Sequence, residues 1–192
     1  MLRVINKILG SITYIILTGI DKDCILIDCG DVEKIVAMGF NVKGVLLTHS
    51  HTDHIYGLNK LVDIFPSVFI YTNEDGKKGL LDSKLNFSHY HEDVEDFIFK
   101  KAGNIMIIKE ECSLFIENIQ IDVLFTPGHD PSCLSFIIAN RIFTGDAYIP
   151  GFKTITAFPK SDKLEAKKSR ARILELETQY GYTICAGHTD AM

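Results

Sequence analysis

The 192-residue sequence predicts an α+β protein in which two β-rich layers carry helices on their outer faces. Short β-branched and aromatic runs recur along the chain and end in glycine-containing turns, a pattern typical of strands. Fewer segments have helical spacing, and the longest of them is close to the C terminus. Histidine or aspartate follows several strands directly. A two-layer arrangement would bring these strand ends to one edge of the molecule.

The first half of the chain alternates predicted strands with short helices. Its strands are predicted at residues 4–9, 12–17, 24–27, 45–47 and 67–71. We expect one helix to begin at the cap residue Asp31 and to end at Gly39, and a second to cover residues 55–62. A third helix is predicted over residues 73–83, followed by a polar loop.

The second half is richer in strands. They are predicted at residues 105–108, 112–116, 119–125, 133–138 and 141–144. The last two form a hairpin about Ala139 and Asn140. A helix is expected over residues 162–179, and a final short strand begins at Thr183.

Four metal-binding side chains lie within six residues, in the order His49-Ser50-His51-Thr52-Asp53-His54. Imidazole nitrogens and carboxylate oxygens are ligands that zinc and iron accept. A strand precedes the motif and a helix follows it, so a rigid scaffold would hold the loop. On an extended strand end His49, His51 and Asp53 share one parity and His54 has the other. His54 would then need a turn or a second metal ion, and this geometry suggests two ions.

Further metal-binding residues follow other strands. His129 comes after Thr126-Pro127-Gly128, Asp146 comes after Gly145, and His188 follows the final strand. Taken singly, they are ordinary candidates for a turn histidine, a helix cap and a tail residue. Asp28, at the end of the strand at 24–27, is expected to orient a histidine or the turn, as carboxylates behind metal ligands do.

Composition limits the function classes. With 46% hydrophobic and 23% charged residues, the chain has an ordinary globular composition, and we expect residues 1–192 to form one domain. A net charge of −5 gives no basic footprint for nucleic acid. The five cysteines are scattered without a CxxC pair, which favours reduced thiols in a cytoplasmic protein.

The apolar stretch at residues 8–20 follows Arg3 and Lys7 and in this respect resembles a signal peptide. However, polar residues and glycine interrupt it, and no cleavage site follows. It is also too short to span a bilayer, so we expect no membrane association.

These motifs, in this order, resemble those of the metallo-β-lactamase-fold hydrolases, and within them the small glyoxalase-II-like branch. The resemblance covers nearly the whole chain. It implies a four-layer αββα sandwich of two mixed β-sheets flanked by helices. It assigns one metal ion to His49, His51 and His129, a second to Asp53, His54 and His188, and a bridging position to Asp146.

Two zinc ions in such a site would acidify a bridging water to hydroxide and polarise a substrate carbonyl. We therefore expect a small-molecule substrate, a thioester or similar ester, and we expect Asp53 to move a proton during catalysis. Iron or manganese can occupy the same ligands. The oligomeric state does not follow from the sequence.

Several residues depart from the branch or extend it. Tyr56 stands where a glycine is common and is expected to narrow the pocket, while Tyr148 and Lys153 are candidates to face a substrate. Asp130 replaces the common residue after His129. Glyoxalase II proper has a C-terminal helical domain that contacts glutathione, and this sequence ends four residues after His188, so glutathione recognition does not follow.

The second His-x-His pair, His89 and His91, lies in a loop without a flanking strand and is left out of the ligand set.

Other functions remain open at this point. A lactonase shares all seven ligands, and a persulfide dioxygenase of the same fold uses a single iron held by some of them. A true β-lactamase is disfavoured because it is expected to lack an equivalent of Asp146. A nuclease is disfavoured by the acidic charge. A non-enzymatic binding protein would be expected to have a broken ligand set.

Overall fold

The computed structural model describes residues 1–19, 21–92 and 94–189 and shows two β-sheets packed face to face with helices outside them. The first sheet has the strand order β1-β2-β3-β4-β5-β6. Its strands are β1 (Leu2–Ile5), β2 (Ile12–Leu17), β3 (Asp23–Ile27), β4 (Asn41–Leu46), β5 (Phe69–Thr72) and β6 (Ile105–Ile107). The first three strands are antiparallel, and β3 to β6 are parallel, so the sheet is mixed.

The second sheet contains the remaining strands and is also mixed. Its strands are β7 (Cys112–Ile116), β8 (Ile119–Phe125), β9 (Leu134–Ile138), β10 (Arg141–Gly145) and β11 (Thr183–Ala186). Their order is β11-β10-β9-β8-β7, and only β10 and β11 pair in parallel. The predicted hairpin is present between β9 and β10, where Ala139 takes a φ of 52°.

Helices cover both outer faces. They are α1 (Val32–Ala37), α2 (Thr52–Ile55), α3 (Leu58–Ile64), α4 (Glu74–Leu80) and α5 (Lys163–Tyr180). Asn73 caps α4 by accepting a hydrogen bond from Gly76, and Asp162 caps α5 by accepting from Leu164 and Glu165. Two 3-10 turns, Ser88–Tyr90 and Ala102–Asn104, interrupt the loops. Within the described residues no helix combines the length and the apolar character needed to cross a membrane.

Three buried clusters fill the spaces between the layers. Alternate residues of β3 point in opposite directions: Leu26 packs under the helices of the first sheet, whereas Ile25 faces the second sheet. Phe136 and Phe143 meet Ile25 between the sheets, and Ile173 of α5 packs on the outer face of the second sheet. The predicted four-layer αββα sandwich is therefore confirmed.

Several element boundaries differ from the sequence predictions: β4 begins at Asn41, before the predicted residue 45, and α4 ends at Leu80, before the predicted residue 83. Two further differences have a clear physical cause. The first strand ends at Ile5 rather than at residue 9, because the chain turns through Leu9 and Gly10, which both have positive φ. The helix predicted over residues 55–62 is two helices, α2 and α3. The break falls at Gly57, whose N–H donates to the carbonyl of Cys29 and which packs directly on the backbone of Gly30.

The metal motif does not continue an extended strand, so the predicted parity of its side chains is wrong. β4 ends at Leu46, and His51 is the cap of α2, so Asp53 and His54 lie in a helical turn. Helical rotation, rather than an extended strand end, therefore sets the directions of these two side chains.

Candidate metal centre

A single buried carboxylate fixes the loop between β4 and α2. Asp28 follows β3, which is parallel to β4, so the two strand ends lie side by side. Its Oδ1 accepts a hydrogen bond of 2.7 Å from the backbone N–H of Thr48, and its Oδ2 accepts one of 2.7 Å from the Thr48 hydroxyl. The same Oδ2 lies 2.8 Å from Nδ1 of His54. Asp28 thus holds the back of the His54 ring, and Nε2 of that ring faces the opposite way.

Three histidines form the first group of possible ligand atoms. His49, His51 and His129 each offer a nitrogen, and these nitrogens all lie within 4.8 Å of one another. Nε2 of His129 is 3.1 Å from Nδ1 of His51. All three side chains are buried. The loop between β8 and β9 of the second sheet thus brings His129 to the loop that carries the other two.

The second group combines a carboxylate with two histidines. Oδ2 of Asp53 lies 3.3 Å from Nε2 of His54 and 3.3 Å from Nε2 of His188. The two Nε2 atoms are themselves 3.3 Å apart. His188 arrives from the end of β11, which an isolated bridge between Ser11 and His188 ties to the first sheet.

Asp146 lies between the two groups. Its carboxylate oxygens are 3.6 Å from His54 Nε2, 3.7 Å from His129 Nε2 and 3.5 Å from His188 Nε2. Gly187 leaves the space for it, because a Cβ at that position would overlap Oδ1 of Asp146. The structure therefore brings together all seven residues proposed as ligands from the sequence.

Carboxylates and imidazoles have opposite effects on each other's protonation here. Burial and the neighbouring imidazoles lower the pKa of His49 well below its ordinary value. Burial also disfavours the charged form of His188, but Asp146 and Asp53 outweigh it and raise the pKa of His188 to about 9. His54 is raised in the same way, against burial, by Asp53 and Asp28, so its pKa lies well above the usual range.

The two carboxylates themselves remain ionised. Burial would raise the pKa of Asp53, but the charge on His54 and the hydrogen bond to His188 lower it. The pKa of Asp146 is lowered by His188 and His54, again against the effect of burial. The carboxylates and the imidazoles of His54 and His188 thus favour each other's charged forms, and binding of a metal cation would release protons from such imidazoles.

A buried cluster of this kind needs a cation to complete it. Nε2 of His49 and Oδ1 of Asp146 are buried and have no hydrogen-bond partner among the described residues. Unpartnered buried polar atoms are costly in an apolar interior. Three nitrogen donors and anionic oxygens are the donor set that zinc and iron prefer, so the residues fit a metal centre.

Residues outside the cluster hold two of its rings from the far side. Nδ1 of His129 donates to the backbone carbonyl of Ile155 at 2.9 Å. Oδ2 of Asp130 lies 3.5 Å from Nε2 of His51, the nitrogen that faces away from His129. Asp130 is in turn fixed by the N–H and hydroxyl of Ser132, which donate to its Oδ1 at 2.8 and 2.5 Å.

A narrow cavity of about 50 Å³ leads to the cluster. The rings of Phe87 and Phe158 flank His51, each with its centroid 4.9 Å from that imidazole. Leu9 and His91 complete the entrance. Neither phenylalanine was predicted from the sequence as a site residue, because loop aromatic residues have no periodic signal that distinguishes a site wall from ordinary packing.

Three residues proposed from the sequence to face the substrate lie elsewhere. The hydroxyl of Tyr56 donates to Asp31 and the side chain lines a separate cavity, so Tyr56 does not narrow the metal pocket. Tyr148 is buried against α5, with the guanidinium of Arg170 over its ring. Lys153 lines another cavity beside α5. The local backbone conformation directs these three side chains away from the metal pocket.

His89 and His91, the second histidine pair, lie in different surroundings. Nδ1 of His89 lies 3.1 Å from Oδ2 of Asp96, on the surface. His91 lines the narrow cavity but is not among the clustered groups of possible ligands found in the described residues.

Comparison with known proteins agrees with this geometry. The family model described as the Metallo-beta-lactamase superfamily matches residues 8–188. A probable metallo-hydrolase of Streptococcus pyogenes serotype M6 is 32% identical over 154 residues, which cover 76% of this chain and 65% of that protein. The hydroxyacylglutathione hydrolase of Blochmanniella pennsylvanica is 28% identical over 129 residues, covering 65% of this chain and 42% of that protein. The chain thus spans less than two thirds of the length of either relative.

Among solved structures, the BLEG-1 B3 metallo-beta-lactamase superposes with a TM-score of 0.86 at 25% identity, over 97% of this chain and 90% of that chain. The fold, the clustered histidines and aspartates, and the match across residues 8–188 lead to the same conclusion. The chain belongs to the metallo-beta-lactamase superfamily, and its relatives include metallo-hydrolases and a hydroxyacylglutathione hydrolase.

Proposed function

We propose that this protein is a dinuclear metal-dependent hydrolase that cleaves a thioester or similar ester. The observation that carries the proposal is the convergence of seven buried histidine and aspartate side chains. Two of them, His49 and Asp146, have a buried polar atom without a hydrogen-bond partner among the described residues. A hydroxyacylglutathione hydrolase among the relatives supports a thioester as the substrate class.

The proposed ligand assignment follows the two groups. His49, His51 and His129 would hold one ion, and Asp53, His54 and His188 would hold the other. Asp146 is placed to bridge them, since its oxygens lie within 3.7 Å of histidines from both groups. We propose zinc as the metal, although iron and manganese suit the same ligands.

Two divalent ions in this position would make a shared water acidic near neutral pH and would polarise the substrate carbonyl. The chain's own residues supply the surroundings for that chemistry. Asp28 and the Ile155 carbonyl hold the rings of His54 and His129 in place. Phe87 and Phe158 exclude water from the approach beside His51.

Asp53 is the residue that we propose to move a proton. Its side chain lines the narrow cavity that an entering substrate would use, and its Oδ2 contacts His54 and His188 of the cluster. A carboxylate at this position can accept a proton and pass it to the leaving group. A thiolate is a good leaving group, so hydrolysis of a thioester needs little help from this proton transfer.

The cysteines fit a cytoplasmic location, which we include in the proposal. All five are free thiols, four of them buried and Cys112 exposed. Free thiols at the surface persist in reducing compartments.

The proposal is tested by thioester hydrolysis with Asp146→Ala, using His89→Ala as the matched control. Loss of the bridging carboxylate should abolish both metal retention and hydrolysis of a 2-hydroxyacyl thioester. His89 lies on the surface and pairs with Asp96, so its replacement should change neither. Hydrolysis by Asp146→Ala at the wild-type rate would refute the mechanism. A lactone and a β-lactam in the same panel would show whether another ester or amide is preferred.

A further inference from the structure

A second cavity of about 450 Å³ adjoins the narrow one that leads to the metal centre. Phe87 lines both cavities, and Asp130 connects them because it lines the second one and lies 3.5 Å from His51. A volume of this size accommodates a substantial part of a small molecule. We call it the lysine cavity, because Lys84 and Lys160 stand on its walls.

The charges of this cavity are unbalanced in favour of cations. Neither Lys84 nor Lys160 forms an ion pair within 4.0 Å among the described residues, although the whole chain carries a net charge of −5. Lys84 contributes to the low pKa of Asp96, but that carboxylate is hydrogen-bonded by His89 and Ser83. The two ammonium groups are therefore available to an anionic ligand.

The carboxylate in the same wall does not offset them. Oδ1 of Asp130 accepts two hydrogen bonds from Ser132, and Oδ2 faces Nε2 of His51. The partners of Asp130 thus lie on the metal side, and the side chain is buried.

The remaining walls are apolar and include two aromatic rings, Tyr90 and Phe87, whose planes are inclined at 44° to each other. The Tyr90 side chain is 64% exposed, an unusual position for a large aromatic ring, and its centroid lies 6.4 Å from that of Phe87. Pro159 stands in the same cavity. An aromatic ring, rather than a flexible chain, makes the best use of such a surface, because stacking adds to apolar burial.

We propose that the lysine cavity binds a part of the substrate that combines a planar aromatic ring with an anionic group. The ring packs against Tyr90 and the anion, a carboxylate or a phosphate, lies between Lys84 and Lys160. The inference rests on the proposed function, since it takes the scissile bond to be at the metal centre. It adds the chemical class of the group that lies beyond Phe87.

Equilibrium binding to the metal-loaded protein tests the site without any hydrolysis. The probes are naphthalene-2-sulfonate, which has ring and charge, 2-naphthylmethanol, which has only the ring, and cyclohexanesulfonate, which has only the charge. Sulfonate is a poor metal ligand, so its binding should report the lysines. We expect naphthalene-2-sulfonate to bind about tenfold more tightly than either of the others, at low salt.

Variants locate the site. Replacing both lysines, in Lys84→Gln with Lys160→Gln, should reduce the affinity for naphthalene-2-sulfonate to that for 2-naphthylmethanol. Tyr90→Leu should reduce it to that for cyclohexanesulfonate. The matched control is Lys163→Gln with Lys167→Gln, because these lysines line a different cavity beside α5. An affinity that survives loss of Lys84 and Lys160, or that is lost in the control, would overturn the proposal.

A comparison of 5′-AMP with adenosine, as further probes, identifies which kind of anion the site takes. If 5′-AMP binds more tightly than adenosine and loses that advantage with Lys84 and Lys160, the site takes a nucleotide-borne phosphate. If only the sulfonate does so, it takes a smaller aromatic acid. Failure of this proposal and failure of the proposed function are separable: lysine-dependent binding without thioester hydrolysis leaves the site standing, and hydrolysis without lysine-dependent binding leaves the metal centre standing.

Discussion

At the scale of single residues, the centre depends on buried carboxylates that hold imidazoles in one orientation. Asp28 and Asp130 are not among the seven clustered side chains, yet each lies behind one of the histidines. Such a carboxylate fixes the ring and makes its other nitrogen a better donor. The seven clustered side chains therefore depend on these two residues for their arrangement.

Replacing Asp28 by alanine should destabilise the fold strongly. Three buried groups would lose their acceptor: the N–H and hydroxyl of Thr48 and Nδ1 of His54. We expect a loss of about 3 kcal/mol in the free energy of unfolding, measured by urea denaturation. Asp63→Ala is the control, because Asp63 forms only an exposed ion pair with Lys101 and should cost little. Equal stabilities of the two variants would contradict this role.

Asp130→Asn should weaken metal binding without unfolding the protein. The change keeps the size of the side chain and its contact with Ser132 but removes the charge that faces His51. We expect about a tenfold lower affinity for one of two ions, measured by competition with a chromogenic chelator. An unchanged affinity for both ions would show that Asp130 does not act through His51.

At the scale of elements, the break between α2 and α3 determines where α2, the helix that contains Asp53 and His54, ends. The N–H of Gly57 donates to the Cys29 carbonyl, and the N–H of Cys29 donates to the carbonyl of His54. Backbone hydrogen bonds therefore connect the turn after β3 to α2 and the residue that follows it. A glycine is required, since any Cβ at this position would overlap the carbonyl oxygen of Gly30.

Gly57→Ala should therefore push α2 away from Asp28. Because the obstacle is backbone, relief requires movement of the whole turn, and we expect a loss of about 2 kcal/mol in unfolding free energy. Metal affinity should fall with it, since His54 lies in the displaced helix. Gly103→Ala is the matched control: a Cβ there meets nothing within 4 Å, and stability should be unchanged or slightly higher. Similar effects of the two substitutions would contradict the packing argument.

At the scale of the whole molecule, the two sheets are joined at the edge that carries the metal centre. The N–H of Ile12 donates to the Gly187 carbonyl at 2.8 Å, and that of Leu134 donates to the Thr48 carbonyl at 2.7 Å. The hydroxyl of Tyr14 donates to the carbonyl of Ala186 at 2.8 Å. Residues far apart in the chain thus meet at one edge, which explains why the ligands come from both halves.

Many of the secondary-structure bounds were predictable, because strands and helix caps have recognisable patterns in the local sequence. The bounds of β7 and β8 agree with the β-branched runs in the sequence, and Asp162 marks the start of α5 as expected. The break at Gly57 was not predictable, because its cause is the backbone of Gly30, a part of the chain that is distant in sequence. Tyr56, Tyr148 and Lys153 were assigned to the pocket without knowledge of the loops that direct them elsewhere.

The most direct test of the central claim is the metal content of the protein purified without added metal or chelator. Elemental analysis of the wild-type chain should find about two zinc ions per chain, as expected for a dinuclear hydrolytic site. One iron per chain would contradict the dinuclear hydrolase. Retention of no metal, even after reconstitution with zinc, would contradict the proposal that the seven side chains hold ions.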